Sequence, residues 1–250
     1  MQLICPDWPA PPGVHALCTT RDGGVSGSAQ GGGWAGLNLG THVGDDPAAV
    51  AENRARLAEA AGVRPVYLQQ VHGTACAPLD ATSPDGLEAD ACTTAEPGIA
   101  CTIMVADCLP VLLTDAMGRR VAAAHCGWRG LAAGVLDSAC AAFDAGSELL
   151  AWLGPCIGPT AFEVGPEVRV AFLARDEGAH ACFVPGAAEG KWLANLPALA
   201  RRRLAALGVR DVHGNDGSAA WCTVGNPSVF FSYRRDGRVS GRFAALVWRD

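Results

Sequence analysis

Val121-Ala122-Ala123-Ala124 runs without interruption into His125-Cys126-Gly127-Trp128-Arg129-Gly130, and this junction decides how the chain is read. An apolar run of strand length stops at a metal-capable side chain followed by a glycine turn. The same arrangement occurs twice upstream. Val66-Tyr67-Leu68-Gln69-Gln70-Val71 leads into His72-Gly73, and Cys101-Thr102-Ile103-Met104-Val105-Ala106 leads into Asp107-Cys108-Leu109-Pro110. Three strands ending in chemistry-bearing side chains imply a rigid sheet whose strand ends assemble a site.

Working outward, Ala100–Ala106, Val111–Thr114, Val121–Ala124 and Leu149–Leu153 are further apolar runs bounded by Gly, Pro, Asp or His, and read as strands. A helix is predicted between Asp45 or Asp46 as cap and Gly62 as stop, with Pro47 in its first turn and Val50 and Leu57 on one face. Helical periodicity returns over Leu131–Phe143 and Trp192–Leu207, the latter closed by Gly208. Val229–Arg234 and Arg242–Trp248 flank Asp236-Gly237 and predict a hairpin. The segment Gly23–Gly36 holds seven glycines and is expected to be a mobile surface loop. Strands and helices mix without strict alternation, so the fold class expected is α+β, with residues 1–250 forming a single domain.

Composition narrows the function. Net charge is −6, and Arg201-Arg202-Arg203 is the one basic cluster, which excludes a general nucleic-acid surface but not a small phosphate-bearing ligand. The N-terminus lacks a basic segment before an apolar run, and no stretch reaches the ~18 apolar residues of a membrane span. A cytoplasmic protein without membrane partners is expected. Eleven scattered cysteines then read as small buried hydrophobes, one or two of them reactive or metal-bound.

His72, Cys108 and His125 are the metal candidates. Two imidazoles and a thiolate suit zinc, and three protein ligands leave a coordination position open, as catalytic sites do. Spacings of 36 and 17 residues form no local signature, and two other readings stay open on these residues alone. One is capped strand ends with core-packed His and Cys; the other is a metal-free Cys–His nucleophile pair. His42 is a candidate for the rim of the site, whereas His15, His180 and His213 read as surface or turn residues.

The motifs Leu37-Asn38-Leu39, Val43-Gly44-Asp45-Asp46, Asn53-Arg54, Gln69-Gln70-Val71-His72-Gly73, Ala89-Asp90-Ala91, Ala106–Pro110 and Ala124–Gly130 together resemble one family. So do Gly154-Pro155-Cys156-Ile157-Gly158-Pro159, Phe162-Glu163-Val164-Gly165 and Phe231-Ser232-Tyr233-Arg234-Arg235. The resemblance is to the laccase-domain family, described first as multicopper polyphenol oxidases and later as purine nucleoside phosphorylases. It spans nearly the whole chain in order.

That resemblance implies a layered α/β/β/α structure with mixed sheets, similar to putative cysteine hydrolases, and zinc on His72, Cys108 and His125. It implies phosphorolysis of adenosine, inosine and methylthioadenosine, with adenosine deamination beside it. Copper-dependent phenol oxidation and removal of wrong peptidoglycan precursors are the other activities attached to the family. Six histidines are few for a multicopper site, so zinc is preferred to copper. The sequence departs from the family at Lys191-Trp192-Leu193, where many members carry an aspartate.

Deamination would need a carboxyl group to move protons, and Asp90, Asp107 and Glu163 are the candidates. Asp107, next to Cys108 on an extended strand end, would point away from it. Phosphorolysis would need cationic donors for phosphate. Arg129, on a glycine-flanked turn before a helix from Leu131, leads that group, with Asn38, Arg54, Gln70 and His42 as further substrate contacts. Cys108 is a ligand or, without metal, a nucleophile. Cys126 and Cys156 are expected to pack rather than ligate.

Overall fold

The computed structural model describes residues 1–27 and 33–250. The centre of the Gly23–Gly36 segment therefore lies outside the described residues, but its two ends pair backbone to backbone at Ser26 and Gly36.

Two sheets pack face to face. The first holds five strands in the order β1 (Leu3–Ile4), β2 (Val14–Thr19), β14 (Phe243–Arg249), β6 (Ile99–Val105) and β3 (Arg64–Tyr67). The second holds six: β13 (Asp211–Gly214), β9 (Leu149–Leu153), β7 (Leu109–Asp115), β8 (Val121–Cys126), β5 (Ala91–Thr94) and β4 (Cys76–Pro78). Both are mixed: β3–β6, β4–β5 and β13–β9 pair in parallel, the rest antiparallel. A small antiparallel sheet, β10 (Glu163–Val164), β12 (Trp192–Ala194) and β11 (Phe183–Pro185), lies apart from them.

Period-two alternation distributes the apolar side chains between layers. On β6, Ile99, Cys101, Ile103 and Val105 enter the core between the two sheets, while Ala100 and Met104 turn to the outer core with Leu57 of helix α1 (Pro47–Ala61). On β8, Val121 and Ala123 face between the sheets, while Ala122, Ala124 and Cys126 face the other helical layer. That layer contains α2 (Trp128–Ala133), α3 (Val135–Ala141), α4 (Pro166–Leu173) and α5 (Leu196–Ala206), with Leu131, Leu136, Val168 and Leu199 buried. The order is helix, sheet, sheet, helices, in agreement with the α+β expectation. Strands of β6 to β8 are buried on both faces, which explains their continuous apolar sequences.

Helix α1 begins and ends where its caps predict. The Asp46 side chain accepts the Ala48 N–H, and Gly62 adopts the left-handed conformation at φ 64°. Four other features differ from the sequence reading. The helix expected over Leu131–Phe143 starts earlier, at Trp128, and is broken by Gly134 at φ 114°. The one expected over Trp192–Leu207 surrenders its first residues to β12, and Asn195 caps α5 by accepting the Ala198 N–H. The departure Lys191-Trp192-Leu193 thus sits at a strand, with Arg169 stacked over Trp192. The expected C-terminal hairpin does not form: Tyr233–Asp236 is a helical turn, α6, capped by the Ser232 hydroxyl, and β14 pairs instead with β2 and β6. Local turn chemistry at Asp236-Gly237 yields to the two long-range partners that bury β14. Strand β3 also stops at Tyr67, short of the expected Val71.

Candidate active site

Three junctions converge at one end of the sheets. The donor atoms of His72, Cys108 and His125 all lie within 4.8 Å of one another, and they are the one such three-donor group among the described residues. His72 Nε2 is 3.6 Å from Cys108 Sγ, and the two imidazoles meet edge to face at 4.7 Å between centroids. His72 is exposed, Cys108 half-buried and His125 buried, so the cluster has an open side.

Strand geometry alone does not make this cluster; two unusual backbone conformations and one glycine complete it. His72 adopts φ 62° and Asp107 φ 97°, both in the left-handed region that L-residues rarely enter. Asp90 holds the first. Its fully buried carboxylate accepts the N–H groups of Val71 at 3.0 Å, His72 at 2.9 Å and Gly73 at 2.6 Å, and takes the His125 Nδ1–H at 2.7 Å. One carboxylate therefore shapes the His72 turn and orients the His125 ring, leaving His125 Nε2 for a ligand bond. Burial works against its charge, but the His125 hydrogen bond and the backbone N–H groups hold it below the usual carboxylate range. Gly127 supplies space: a Cβ there would lie 2.6 Å from His72 Cδ2 and 3.1 Å from Cys108 Sγ.

Burial also opposes charge on Cys108 and His125, yet each favours ionisation of the other. Without a metal, His125 first and then His72 bring the Cys108 thiol down to about 6. Cys108 and then Asp90 raise the His125 imidazole to about 9. Without a metal the pair is a thiolate beside an imidazolium; a divalent ion would replace the proton on His125 Nε2 and be held by the thiolate and neutral imidazoles. Cys126 and Cys156, by contrast, are pushed well above the ordinary thiol range by burial and pack in the core.

The cluster stands in the wall of a cavity of about 1010 Å³. Trp128, Phe162 and Tyr233 supply aromatic surface to this cavity, and Arg54, Arg129, Arg234 and Arg242 supply positive charge. Arg129 is exposed, stacked 4.5 Å over the Trp128 ring. It belongs to α2 itself and not to a turn before a helix from Leu131, because that helix begins at Trp128. Arg234 and Arg242 donate to backbone carbonyls: Arg234 to Ala161 and Glu163, Arg242 to Ser240 and Gly241. Among the described residues neither forms an ion pair. A second, smaller cavity between α2, α4 and α5 has its arginines paired with Asp137 and Asp176.

Several expected contacts lie elsewhere or are already occupied. Asn38 is buried away from the cavity, where its amide joins Gly40, Asp45 and Arg242 N–H, because its carboxamide is needed to tie those turns together. Glu163 sits on β10 outside the cavity lining. Asp107 does not end an extended strand: its turn aims the carboxylate at the Thr223 hydroxyl, 2.6 Å, and the Arg234 N–H, 2.6 Å. Gln70 lines the cavity but uses its amide to bridge the Met104 N–H and C=O, as a neighbouring strand would. His42 is exposed and lines the cavity. Arg234, Arg242, Trp128, Phe162 and Tyr233 were not singled out from the sequence, although the Phe231–Arg235 motif contains two of them.

Residues 15–250 match the family described as multi-copper polyphenol oxidoreductase laccase. A protein of Pseudomonas aeruginosa named purine nucleoside phosphorylase is 53% identical over 246 residues, covering 98% of this chain and 97% of that one. An Escherichia coli protein of the same name is 48% identical over 250 residues, covering 99% and 98%. The crystal structure of a Neisseria meningitidis protein superposes with a TM-score of 0.91 at 45% identity, covering 100% of both chains. Among the described residues no helix is long and apolar enough to cross a membrane. With sequence matched over residues 15–250 and the fold reproduced, this chain belongs to the laccase-domain family, whose Pseudomonas aeruginosa and Escherichia coli relatives carry the name purine nucleoside phosphorylase.

Proposed function

We propose that the protein is a zinc-dependent purine nucleoside phosphorylase acting on adenosine, inosine and methylthioadenosine, with adenosine deamination as a lesser activity. The observation that carries this reading is an open His–Cys–His group in the wall of a large cavity lined by aromatic rings and by four arginines, of which only Arg54 has a carboxylate partner among the described residues. The donor set fits zinc at His72, Cys108 and His125, with Asp90 fixing His125 from behind. When bound, zinc supplies Lewis-acid charge next to the substrate.

The chain's own residues do the remainder. Arg129, with its guanidinium held flat on Trp128, presents N–H donors to inorganic phosphate. Trp128, Phe162 and Tyr233 offer ring faces to a planar base. Asp107 holds Thr223 and the backbone of Arg234, and so keeps the C-terminal segment against the cavity. Deamination needs a carboxyl group free to carry a proton. Asp90 is filled by four donors, Asp107 is tied to the Thr223 hydroxyl and the Arg234 N–H, and Glu163 is outside the lining, which favours phosphorolysis as the main reaction.

A second reading has one observation in its favour: the lowered Cys108 thiol beside His125 is also the signature of a cysteine nucleophile, suited to hydrolysis of a peptidoglycan precursor. Copper at the same three donors is the remaining alternative for the metal. One experiment separates these. Protein of known metal content is incubated with adenosine, with and without phosphate. Adenine and ribose 1-phosphate formed only with phosphate, and lost on chelation, support the proposal. Activity that survives chelation and dies on alkylation supports the nucleophile reading, and inosine formed without phosphate makes deamination the main reaction.

A further inference from the structure

The cavity extends well beyond the metal group. Tyr67 is level with Thr102 in the sheet register, whereas Cys108 follows six residues after Thr102, yet both line the same space. A volume of about 1010 Å³ lies at the top of the range for small-ligand pockets, ~300–1,000 Å³, and leaves room beside a nucleoside.

The Tyr67 end carries an unsatisfied group. Tyr67 is only 4% exposed, and among the described residues its hydroxyl has no hydrogen-bond partner. Burying a hydroxyl unpaired is costly, so such groups are retained where something else completes them. Directly over the ring, at 3.8 Å, lies the Arg54 guanidinium. It donates Nε–H to Leu39 O, one N–H to Asp85 and one towards Met104 Sδ at 3.9 Å, a weak acceptor. Of its five N–H groups, two remain. Asp85 accepts the Tyr67 N–H at 3.0 Å as well, so it clamps the strand and the guanidinium in place together. His42 and Thr41 close the same end from the rim.

Asp85 offsets Arg54 there, and Arg242 adds a guanidinium with no carboxylate partner among the described residues. Burial first, then Arg242 and Arg54, lower the His42 pKa, so its neutral ring contributes one N–H while the two guanidinium groups provide the field. Tyr67 O–H, two Arg54 N–H groups and a His42 N–H are the donors at this end. They suit three oxygens of a tetrahedral anion.

We infer that the Tyr67–Arg54–His42 end of the cavity is a subsite for a phosphate group, carried as a monoester by the substrate or bound as free phosphate, separate from the Arg129 position beside the metal group. This deepens the nucleoside reading above and rests on it for the body of the substrate.

The test measures binding, on zinc-loaded wild-type protein and Tyr67→Phe, by calorimetry with adenosine, adenosine 5′-monophosphate and orthophosphate. Wild-type protein is expected to bind the monophosphate at least about tenfold more tightly than adenosine. Tyr67→Phe should abolish most of that advantage while its Tm stays the same or rises, because an unpaired hydroxyl has been removed. If the monophosphate shows no advantage but orthophosphate binding weakens as much in Tyr67→Phe, free phosphate is the occupant and the subsite stands. If Tyr67→Phe changes neither affinity, or lowers Tm with affinities intact, the hydroxyl is satisfied structurally and the inference fails. Tyr67-dependent phosphate binding in a protein that leaves adenosine uncleaved would uphold the subsite and overturn the phosphorylase reading.

Discussion

One part of the cavity wall is made of His72, Cys108 and His125 at three strand ends, braced by the buried Asp90 and crowded by Gly127. Another is made of Arg54, Arg129, Arg234 and Arg242, drawn from residues 54 to 242 and held by carbonyls, ring faces and a single half-exposed carboxylate. The first wall is short-range and over-determined: each donor has a backbone position that only its own turn permits. The second has long, flexible side chains whose positions depend on contacts between distant segments. Precision sits where a metal needs it, and adaptable charge sits where a substrate must enter and leave.

That contrast can be broken by experiment, beginning with the metal wall. His125→Ala or Cys108→Ser should reduce zinc content from near one per chain towards none and lower phosphorolysis on the order of 10³-fold. Retained activity in metal-free protein would transfer the chemistry to a cysteine nucleophile. Asp90→Asn keeps all three donors but replaces the charged acceptor of four N–H groups. Zinc affinity should fall about 10–100-fold, and stability by about 3 kcal/mol, read by metal competition and thermal melting. Gly127→Ala sharpens the comparison further, since its φ of −62° accommodates alanine and only the space does not. Zinc affinity is expected to drop about tenfold, near 1.4 kcal/mol, with the fold intact by circular dichroism. On the arginine wall the expected effect is smallest. Arg129→Ala should raise the KM for phosphate several-fold, about 1 kcal/mol for a lost charge-assisted contact, with zinc content unchanged. Equal losses of zinc and phosphate use in that variant would mean that the two walls are not independent.

The sequence by itself determined the central strands and the first helix, and it offered the three donor candidates. Continuous apolar runs at β6, β7 and β8 could only be strands buried on both faces, and Asp46, Pro47 and Gly62 delimit α1 through purely local hydrogen bonding and backbone preference. His72, Cys108 and His125 were legible because each ends an apolar run in the sequence, although β3 stops five residues short of His72, and the family resemblance, not the spacing, singled them out as a set.

Tertiary structure decided what lies between distant segments. Asp90 was read as a proton carrier, and only the meeting of β5 with the His72 turn and β8 shows its carboxylate filled by four donors. Asp107 likewise lost its freedom to Thr223 and Arg234, more than a hundred residues away. The expected C-terminal hairpin gave way because β14 buries more by pairing with β2 and β6 than a local turn could offer. Periodicity and capping act over a few residues, so the chain states them openly. Whether a carboxylate, an arginine or a tyrosine hydroxyl remains unpartnered depends on contacts that exist only once the sheets have packed.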